Sequence, residues 1–193
     1  MKKKDLKPAG VFKYFEEICQ VPRPSKKEEK MIAYLKAFGA KHNLETKVDE
    51  AGNVLIKKPA TPGKENLQTV VLQSHIDMVC EKNNDVQHDF LTDPIETEID
   101  GEWLKAKGTT LGADNGIGVA TELAILADDS IEHGPLECLF TVDEETGLTG
   151  AFALQEGFMS GDILLNLDSE DEGEIFIGCA GGIDSVAEFT YKE

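Results

Sequence analysis

Six residues of the types that bind metals or transfer protons stand in four short, well-separated stretches of the sequence. They are His75, Asp77, Asp114, Glu144, Glu145 and Asp168. A neutral imidazole together with several carboxylates is a ligand set suited to zinc, manganese or cobalt. Two such ions about 3.5 to 4 Å apart are joined by a bridging group and activate water for hydrolysis. These residue types therefore predict a centre for two divalent metal ions.

The spacing within each stretch suggests individual roles. In an extended chain His75 and Asp77 lie on one face, so Asp77 can accept the second imidazole N–H and fix the tautomer that binds metal. Asp114 follows a glycine at the start of a predicted helix and is our candidate bridge. Glu144 and Glu145 point in different directions, so one can coordinate while the other acts as general base. The residues alone leave open which glutamate takes which role.

The elements that must position these residues alternate along the chain. Strands are predicted at 45–49, 54–57, 69–72, 95–99, 103–105, 136–142, 163–167, 174–178 and 183–191, and helices at 9–20, 25–42, 115–128 and 148–155. This order is typical of an α/β fold with a mixed, largely parallel sheet flanked by helices. Catalytic groups in such sheets gather beyond the carboxyl ends of the strands. We therefore expect the six residues to meet at one edge.

Each residue also has an ordinary structural explanation when it is taken alone. A single histidine is more often structural than a ligand, and Asp114 could cap a helix. The Glu144–Glu145 pair and the acidic run around Asp168 could be solvated charge. Their convergence on one edge favours the metal site. Ser25 and Glu28, for their part, have the spacing of a capping box for the helix at 25–42.

Charge and cysteine content exclude several classes of protein. The chain has 37 acidic and 19 basic residues, which gives a net charge of −18 over 193 residues. That charge argues against nucleic-acid or anionic-membrane partners, because phosphates recruit Lys and Arg. The four cysteines are far apart and form no C-x-x-C pair, which indicates reduced thiols and a cytoplasmic protein. We expect neither a signal peptide nor a membrane-spanning segment.

Four ordered motifs resemble those of the aminoacyl-histidine (Xaa-His) dipeptidases, a branch of the di-zinc exopeptidase family. The motifs are Ser74–Val79, Gly112–Gly116, Asp143–Gly147 and Asn166–Glu170, and a further similarity lies at Gly178–Gly182. The resemblance covers nearly the whole chain and implies a zinc-exopeptidase-like catalytic domain. It implies hydrolysis of unblocked dipeptides, Xaa-His in particular, with two zinc ions, or manganese or cobalt in their place.

The resemblance also implies a role for each site residue. The implied metal ligands are His75 and Asp168 as terminal ligands of one ion, Asp114 as the bridge, and Glu145 on the other ion. Glu144 would be the general base that takes a proton from the bridging water and passes it to the departing amine. Asp77 would orient His75.

One ligand of the family pattern has no counterpart in the sequence. In the enzymes that the chain resembles, a second His on the ion bound by Glu145 comes from a segment that follows an inserted lid domain. The other histidines are poor substitutes, because His42 ends an outer helix and His133 lies at the opposite edge of the sheet; His88, in the long loop, is the only one that could reach the site. We therefore expect residues 1–182 to be the N-terminal part of a catalytic metallopeptidase domain and residues 183–193 to begin the lid. The lid often pairs subunits in such enzymes, so a homodimer is possible.

Other functions stay open at this point. A tripeptidase or an amide deacylase would use the same metals with a different pocket. The 193 residues could also form an inert folded fragment that binds metal weakly, because one ligand and the lid are absent from it. A purely acidic interaction domain fits the charge but leaves the convergence of the six residues unexplained.

Overall fold

A five-stranded mixed sheet is the framework of the protein. The computed structural model describes residues 5–169, 171, 173–178, 181–182 and 185–191. The strands of the sheet are β1 Glu45–Val48, β2 Val54–Lys58, β3 Val70–His75, β6 Leu136–Thr141 and β7 Ile163–Asn166, and a separate antiparallel pair consists of β4 Thr97–Asp100 and β5 Trp103–Ala106. The helices are α1 Ala9–Ile18, α2 Glu29–Lys41, α3 Ala113–Ala127 and α4 Thr149–Ala153.

The strand order is β1-β2-β6-β3-β7, with antiparallel pairing on one side of β6 and parallel pairing on the other. The expected α/β class with a mixed sheet is confirmed. In the parallel pair β3–β6, His75 lies opposite Thr141. Because parallel strands point the same way, the residues that follow β3, β6 and β7 emerge at one edge of the sheet.

Helices α1, α2 and α3 cover one face of the sheet, where α1 packs on α3 and α2 packs beside β1 and β2. The largest fully buried side chains in this layer include Phe15, Met31, Leu123 and Phe140. On the other face Leu55, Val71 and Leu139 are covered by Leu154, Phe158 and Met159. All six residues of β6 are buried, as expected for a central strand whose two faces are both covered.

The start of α2 differs from the prediction. The helix begins at Glu29, and Ser25 and Glu28 do not form a capping box. Instead the Ser25 hydroxyl donates to Asp77 Oδ2 at 2.8 Å, and Glu28 Oε1 accepts the N–H of Asp143 at 3.0 Å. Asp77 and Asp143 are buried and need hydrogen-bond partners there, whereas the exposed residues at the start of α2 can use water.

The strand predicted at 174–178 is not formed, and residues 185–191 of the strand predicted at 183–191 are not in a strand either. Residues 183 and 184, like Glu170 and Cys179 of the motifs above, lie outside the described residues. Ile175 and Ile177 are 93% and 104% exposed. Alternation of apolar residues shows which face a strand would bury, but a strand also needs a neighbour to supply hydrogen bonds. No strand of the described residues pairs with this segment.

At the opposite end of the sheet from His75, the buried carboxylate of Glu137 at the start of β6 binds a neighbouring loop. It accepts the N–H groups of Ser160 and Gly161 at 2.7 and 3.2 Å and the Ser160 hydroxyl at 2.6 Å. Lys57 Nζ lies 2.6 Å away. Burial opposes ionisation, but Lys57 and Ser160 outweigh it and lower the pKa of Glu137.

Replacing this carboxylate should weaken the fold at neutral pH. Because the folded-state pKa of Glu137 is depressed, its contribution is full above the ordinary value of 4.5 and is lost as pH falls through the folded value. We expect Glu137→Gln to lower the free energy of unfolding at pH 7 by about 1–3 kcal/mol. Urea unfolding followed by circular dichroism at several pH values measures this. An equal difference at pH 7 and pH 3 would contradict the assignment.

Candidate metal centre

The edge beyond β3, β6 and β7 brings an imidazole and three carboxylates together. His75 Nε2 lies 2.9 Å from Asp114 Oδ1, 3.7 Å from Asp168 Oδ2 and 4.0 Å from Glu144 Oε2. The side chain of His75 is 1% exposed and that of Asp114 is 61% exposed. The imidazole is therefore fixed in the protein interior while the carboxylates stand at the solvent side of the edge.

The donor atoms of His75, Asp114 and Asp168 fit a single divalent cation. One ligand atom from each lies within 4.8 Å of the others. Two ligands at zinc-bonding distances of about 2.0–2.2 Å in a tetrahedron are separated by roughly 3.3 Å. The observed His75 contacts of 2.9 and 3.7 Å fall on either side of that separation. The ligand types are those of zinc, manganese or cobalt sites.

Asp77 connects the histidine to the loop that carries the two glutamates. Its Oδ1 lies 3.3 Å from His75 Nδ1, and its carboxylate accepts the N–H groups of Glu144 and Glu145 at 3.0 and 3.2 Å. Burial would raise the pKa of Asp77, but the adjacent His75 ring and the hydrogen bonds from the Glu144 N–H and Ser25 lower it to about 2. Asp77 therefore stays ionised and can orient the ring.

The other carboxylates of the edge repel one another. Burial, followed by the charges of Asp168 and Glu145, raises the pKa of Glu144 despite the opposing charge of His75. Burial and then the charge of Asp114 raise the pKa of Glu145. Burial and the nearby Asp114 likewise raise the pKa of Asp168. A bound cation would relieve this repulsion, which is a second reason why the donor set fits one.

The histidine responds to the same charges in the opposite direction. Burial alone would lower the pKa of His75, but the adjacent carboxylate of Asp77 and the hydrogen bond with Asp114 outweigh burial and raise it to about 9. Without a cation the ring is protonated at neutral pH, and a metal ion must displace that proton in order to bind.

Several residues that hold this site were not identified from the sequence. Asn53 accepts the Val142 N–H at 3.1 Å and donates to the Gly150 carbonyl at 2.8 Å, so it anchors both ends of the loop that contains Glu144. The sequence predicts Asn53 only as an ordinary turn residue after a glycine. The spacing of Ser25 and Glu28 predicted a helix cap and gave no sign that they would contact Asp77 and Asp143.

The structure also locates the residues for which alternatives were weighed. Asp114 makes no side-chain cap hydrogen bond at the start of α3, and its oxygen faces His75 instead. Within the described residues, His75 is the only histidine in a cluster of possible metal ligands. His88 packs against the ring of Phe90, with centroids 4.5 Å apart, and does not join such a cluster.

A cavity of about 220 Å³ adjoins the site. Glu144 and Asp168 line its polar end, and Leu148, Met159 and Leu164 contribute to its apolar wall. A small molecule held there would lie directly beside the carboxylates.

Residues 71–189 match the model of peptidase family M20/M25/M40, and this range contains all six residues discussed above. The chain belongs to this family. The chain is similar to the cytosol non-specific dipeptidase of Escherichia coli, to which it is 55% identical over 93% of its length. The chain spans only 37% of the length of that relative.

Solved structures agree with the family assignment. An aminoacylhistidine dipeptidase from Vibrio alginolyticus is 55% identical with a TM-score of 0.87, and the match covers 90% of this chain and 35% of that one. An aminopeptidase PepT from Bacillus cereus is 26% identical with a TM-score of 0.71, over 84% of this chain and 43% of that one. None of the helices in the described residues has the length and hydrophobicity that a membrane-spanning helix needs.

The proposed role of Asp77 in orienting His75 can be tested by substitution. We expect Asp77→Asn to weaken zinc binding by about 10- to 100-fold, because the amide is a poorer acceptor for the imidazole N–H. Isothermal titration of the protein at its native length with zinc measures this.

Glu137→Gln is the matched control for that variant. Like Asp77, Glu137 is a buried carboxylate that accepts two backbone N–H groups and a serine hydroxyl, but it lies at the other end of β6. It should lower stability and leave zinc affinity unchanged. Equal zinc affinities in wild type and Asp77→Asn would show that Asp77 does not support the ligand.

Proposed function

We propose that the protein is a metal-dependent dipeptidase that hydrolyses the peptide bond of unblocked dipeptides, with a preference for Xaa-His. The observation that carries the proposal is the meeting of His75, Asp114 and Asp168 at one sheet edge, with Glu144 Oε2 only 4.0 Å from the imidazole. The printed names of the Escherichia coli and Vibrio alginolyticus relatives support the dipeptide substrate. Because the chain spans about a third of each, the activity is proposed for the protein at its native length.

Two divalent ions, zinc or else manganese or cobalt, would be held at this edge. In this proposal His75 and Asp168 would hold one ion, Glu145 would hold the other, and Asp114 would be shared between them. The cluster of ligand atoms from His75, Asp114 and Asp168 supports the binding of one ion. The charge of Asp114 raises the pKa of Glu145, and this interaction between the two carboxylates supports a second ion between them. When bound, such ions act as Lewis acids that polarise the scissile carbonyl and acidify the attacking water.

Glu144 is the proposed general base. It would take a proton from the attacking water and pass it to the amine that leaves. Burial and neighbouring negative charge raise the pKa of Glu144, which makes the carboxylate a stronger base. Its place in the lining of the cavity, together with Asp168, supports this role. Asp77 would keep the ring of His75 in the orientation that binds metal.

The remaining expectations about the native protein are part of the same proposal. We infer a cytoplasmic location, supported by the name of the Escherichia coli relative. Residues 1–182 would belong to the catalytic domain and residues 183–193 would begin a lid through which subunits can pair. Small peptides are the proposed partners, and the net charge of −18 argues against nucleic acids.

The general base can be tested by one substitution. We expect Glu144→Gln to lower kcat for Ala-His by about 10²- to 10⁴-fold with little change in zinc affinity, because the amide cannot accept the proton. Glu132→Gln is the control, since Glu132 is an exposed carboxylate paired with Lys64 on the surface. A fully active Glu144→Gln enzyme would overturn the assignment.

Substrate and metal can be tested together on the protein at its native length. We expect hydrolysis of Ala-His, β-Ala-His and Cys-Gly that stops on treatment with a chelator and returns with zinc, manganese or cobalt. N-acetyl-Ala-His and Ala-Ala-His should be cleaved much more slowly. Faster cleavage of the tripeptide or of the acylated substrate would favour a tripeptidase or an amide deacylase, and chelator-insensitive cleavage would overturn the metal mechanism.

The alternative of an inert fragment is tested on the 193 residues alone. That alternative predicts at most one tightly bound metal per chain and no turnover, because the described residues contain only one histidine in a ligand cluster. Elemental analysis that finds two tightly bound ions, together with dipeptide cleavage, would exclude it.

A further inference from the structure

Arg23 is the only arginine in the sequence, and it lies directly beneath the metal-ligand loops. It is 2% exposed. One of its terminal nitrogens, Nη1, donates to the carbonyls of Ile76 and Asp77 at 3.1 and 3.0 Å. The other, Nη2, donates to the carbonyl of Gly112 at 2.5 Å. A single buried side chain therefore binds three backbone carbonyls on two loops that are far apart in the sequence.

These two loops carry the closest pair of proposed ligand atoms. The loop at Ile76 and Asp77 directly follows His75, and Gly112 lies two residues before Asp114. The distance between His75 Nε2 and Asp114 Oδ1 is 2.9 Å. Among the described residues no strand pairing joins the two loops at these positions, and the guanidinium links their backbones directly through its hydrogen bonds.

Two glycines make room for this side chain. A Cβ atom at Gly112 would lie 2.5 Å from Arg23 Nη2, and a Cβ atom at Gly116 would lie 2.7 Å from the same nitrogen. Gly112 also has a φ of +66°, a conformation that side chains other than glycine rarely adopt. The glycines around Asp114 thus fit the guanidinium as well as the turn that leads into α3.

The three contacts depend on the shape of a guanidinium and not only on its charge. A guanidinium presents its N–H donors in a rigid planar fork, whereas an ammonium is a compact point charge on a flexible chain. A buried lysine elsewhere in the protein also donates to backbone carbonyls. Lys58, which is 7% exposed, donates to the carbonyls of Ile125 and Asp128 near the end of α3, far from the ligand loops.

We propose that Arg23 is a positioning residue of the metal centre, which holds the loop of His75 against the loop of Asp114 and so fixes the separation of these two ligands before a metal binds. This inference rests on the metal site of the proposed function but not on the identity of the substrate. Removing the fork should cost metal affinity, because the two ligands would then have to be ordered during binding.

The test is Arg23→Lys in the protein at its native length, since this change keeps the charge and removes the fork. We expect zinc affinity, measured by isothermal titration, to fall by about tenfold or more. We also expect the visible absorption of the cobalt-loaded variant to change, because these bands report the geometry of the ligands. Gly116→Ala is a second variant that leaves Arg23 in place and pushes against Nη2, and it should shift affinity and spectrum in the same direction.

Lys58→Met is the matched control, since it removes a buried cation that also binds two backbone carbonyls. It should lower the unfolding temperature while zinc affinity and the cobalt spectrum stay at wild-type values. Wild-type affinity and spectrum in both Arg23→Lys and Gly116→Ala would overturn the inference, as would equal losses of affinity in Lys58→Met. Failure of the protein to cleave dipeptides, with an Arg23-dependent zinc affinity, would overturn the proposed activity and leave this inference standing.

Discussion

Repulsion among carboxylates at one edge of the sheet is the constraint on which the rest of the structure depends. Asp114, Glu144 and Asp168 lie within 4.0 Å of a single buried imidazole, and nearby negative charge contributes to the raised pKa values of Glu144, Glu145 and Asp168. Such an arrangement persists in a folded protein only where the backbone around it is held firmly. A cation bound at this edge would be attracted by all of these carboxylates and would relieve their mutual repulsion.

The proposed site residues lie mostly in loops and not within the strands of the sheet. Buried polar side chains therefore hold the backbone of these loops in place. Asp77 and Glu28 accept N–H groups of the glutamate loop, Asn53 anchors both of its ends, and Arg23 donates to the carbonyls of the two loops near His75 and Asp114. Each of these contacts satisfies a buried backbone group that regular secondary structure would otherwise have paired.

A buried carboxylate with similar hydrogen bonds lies near each end of the central strand β6; one stabilises the fold and the other supports the proposed metal site. Glu137 at its start and Asp77 beside its end both accept two backbone N–H groups and a serine hydroxyl. Lys57 neutralises Glu137, whereas the partner of Asp77 is the imidazole that a metal would use. The difference between a structural and a functional carboxylate therefore lies in the group that each one faces.

The sequence by itself determined the fold class, the main strands and the edge at which the proposed site residues gather, because hydrophobic periodicity is local and the alternation of strands and helices implies parallel strands. Only the tertiary structure decided that Ser25 and Glu28 serve the ligand loops and not α2, that Arg23 joins those loops, and that 174–178 is not a strand. These outcomes depend on partners distant in the sequence, and a polar side chain carries no local signal of which buried group it will satisfy.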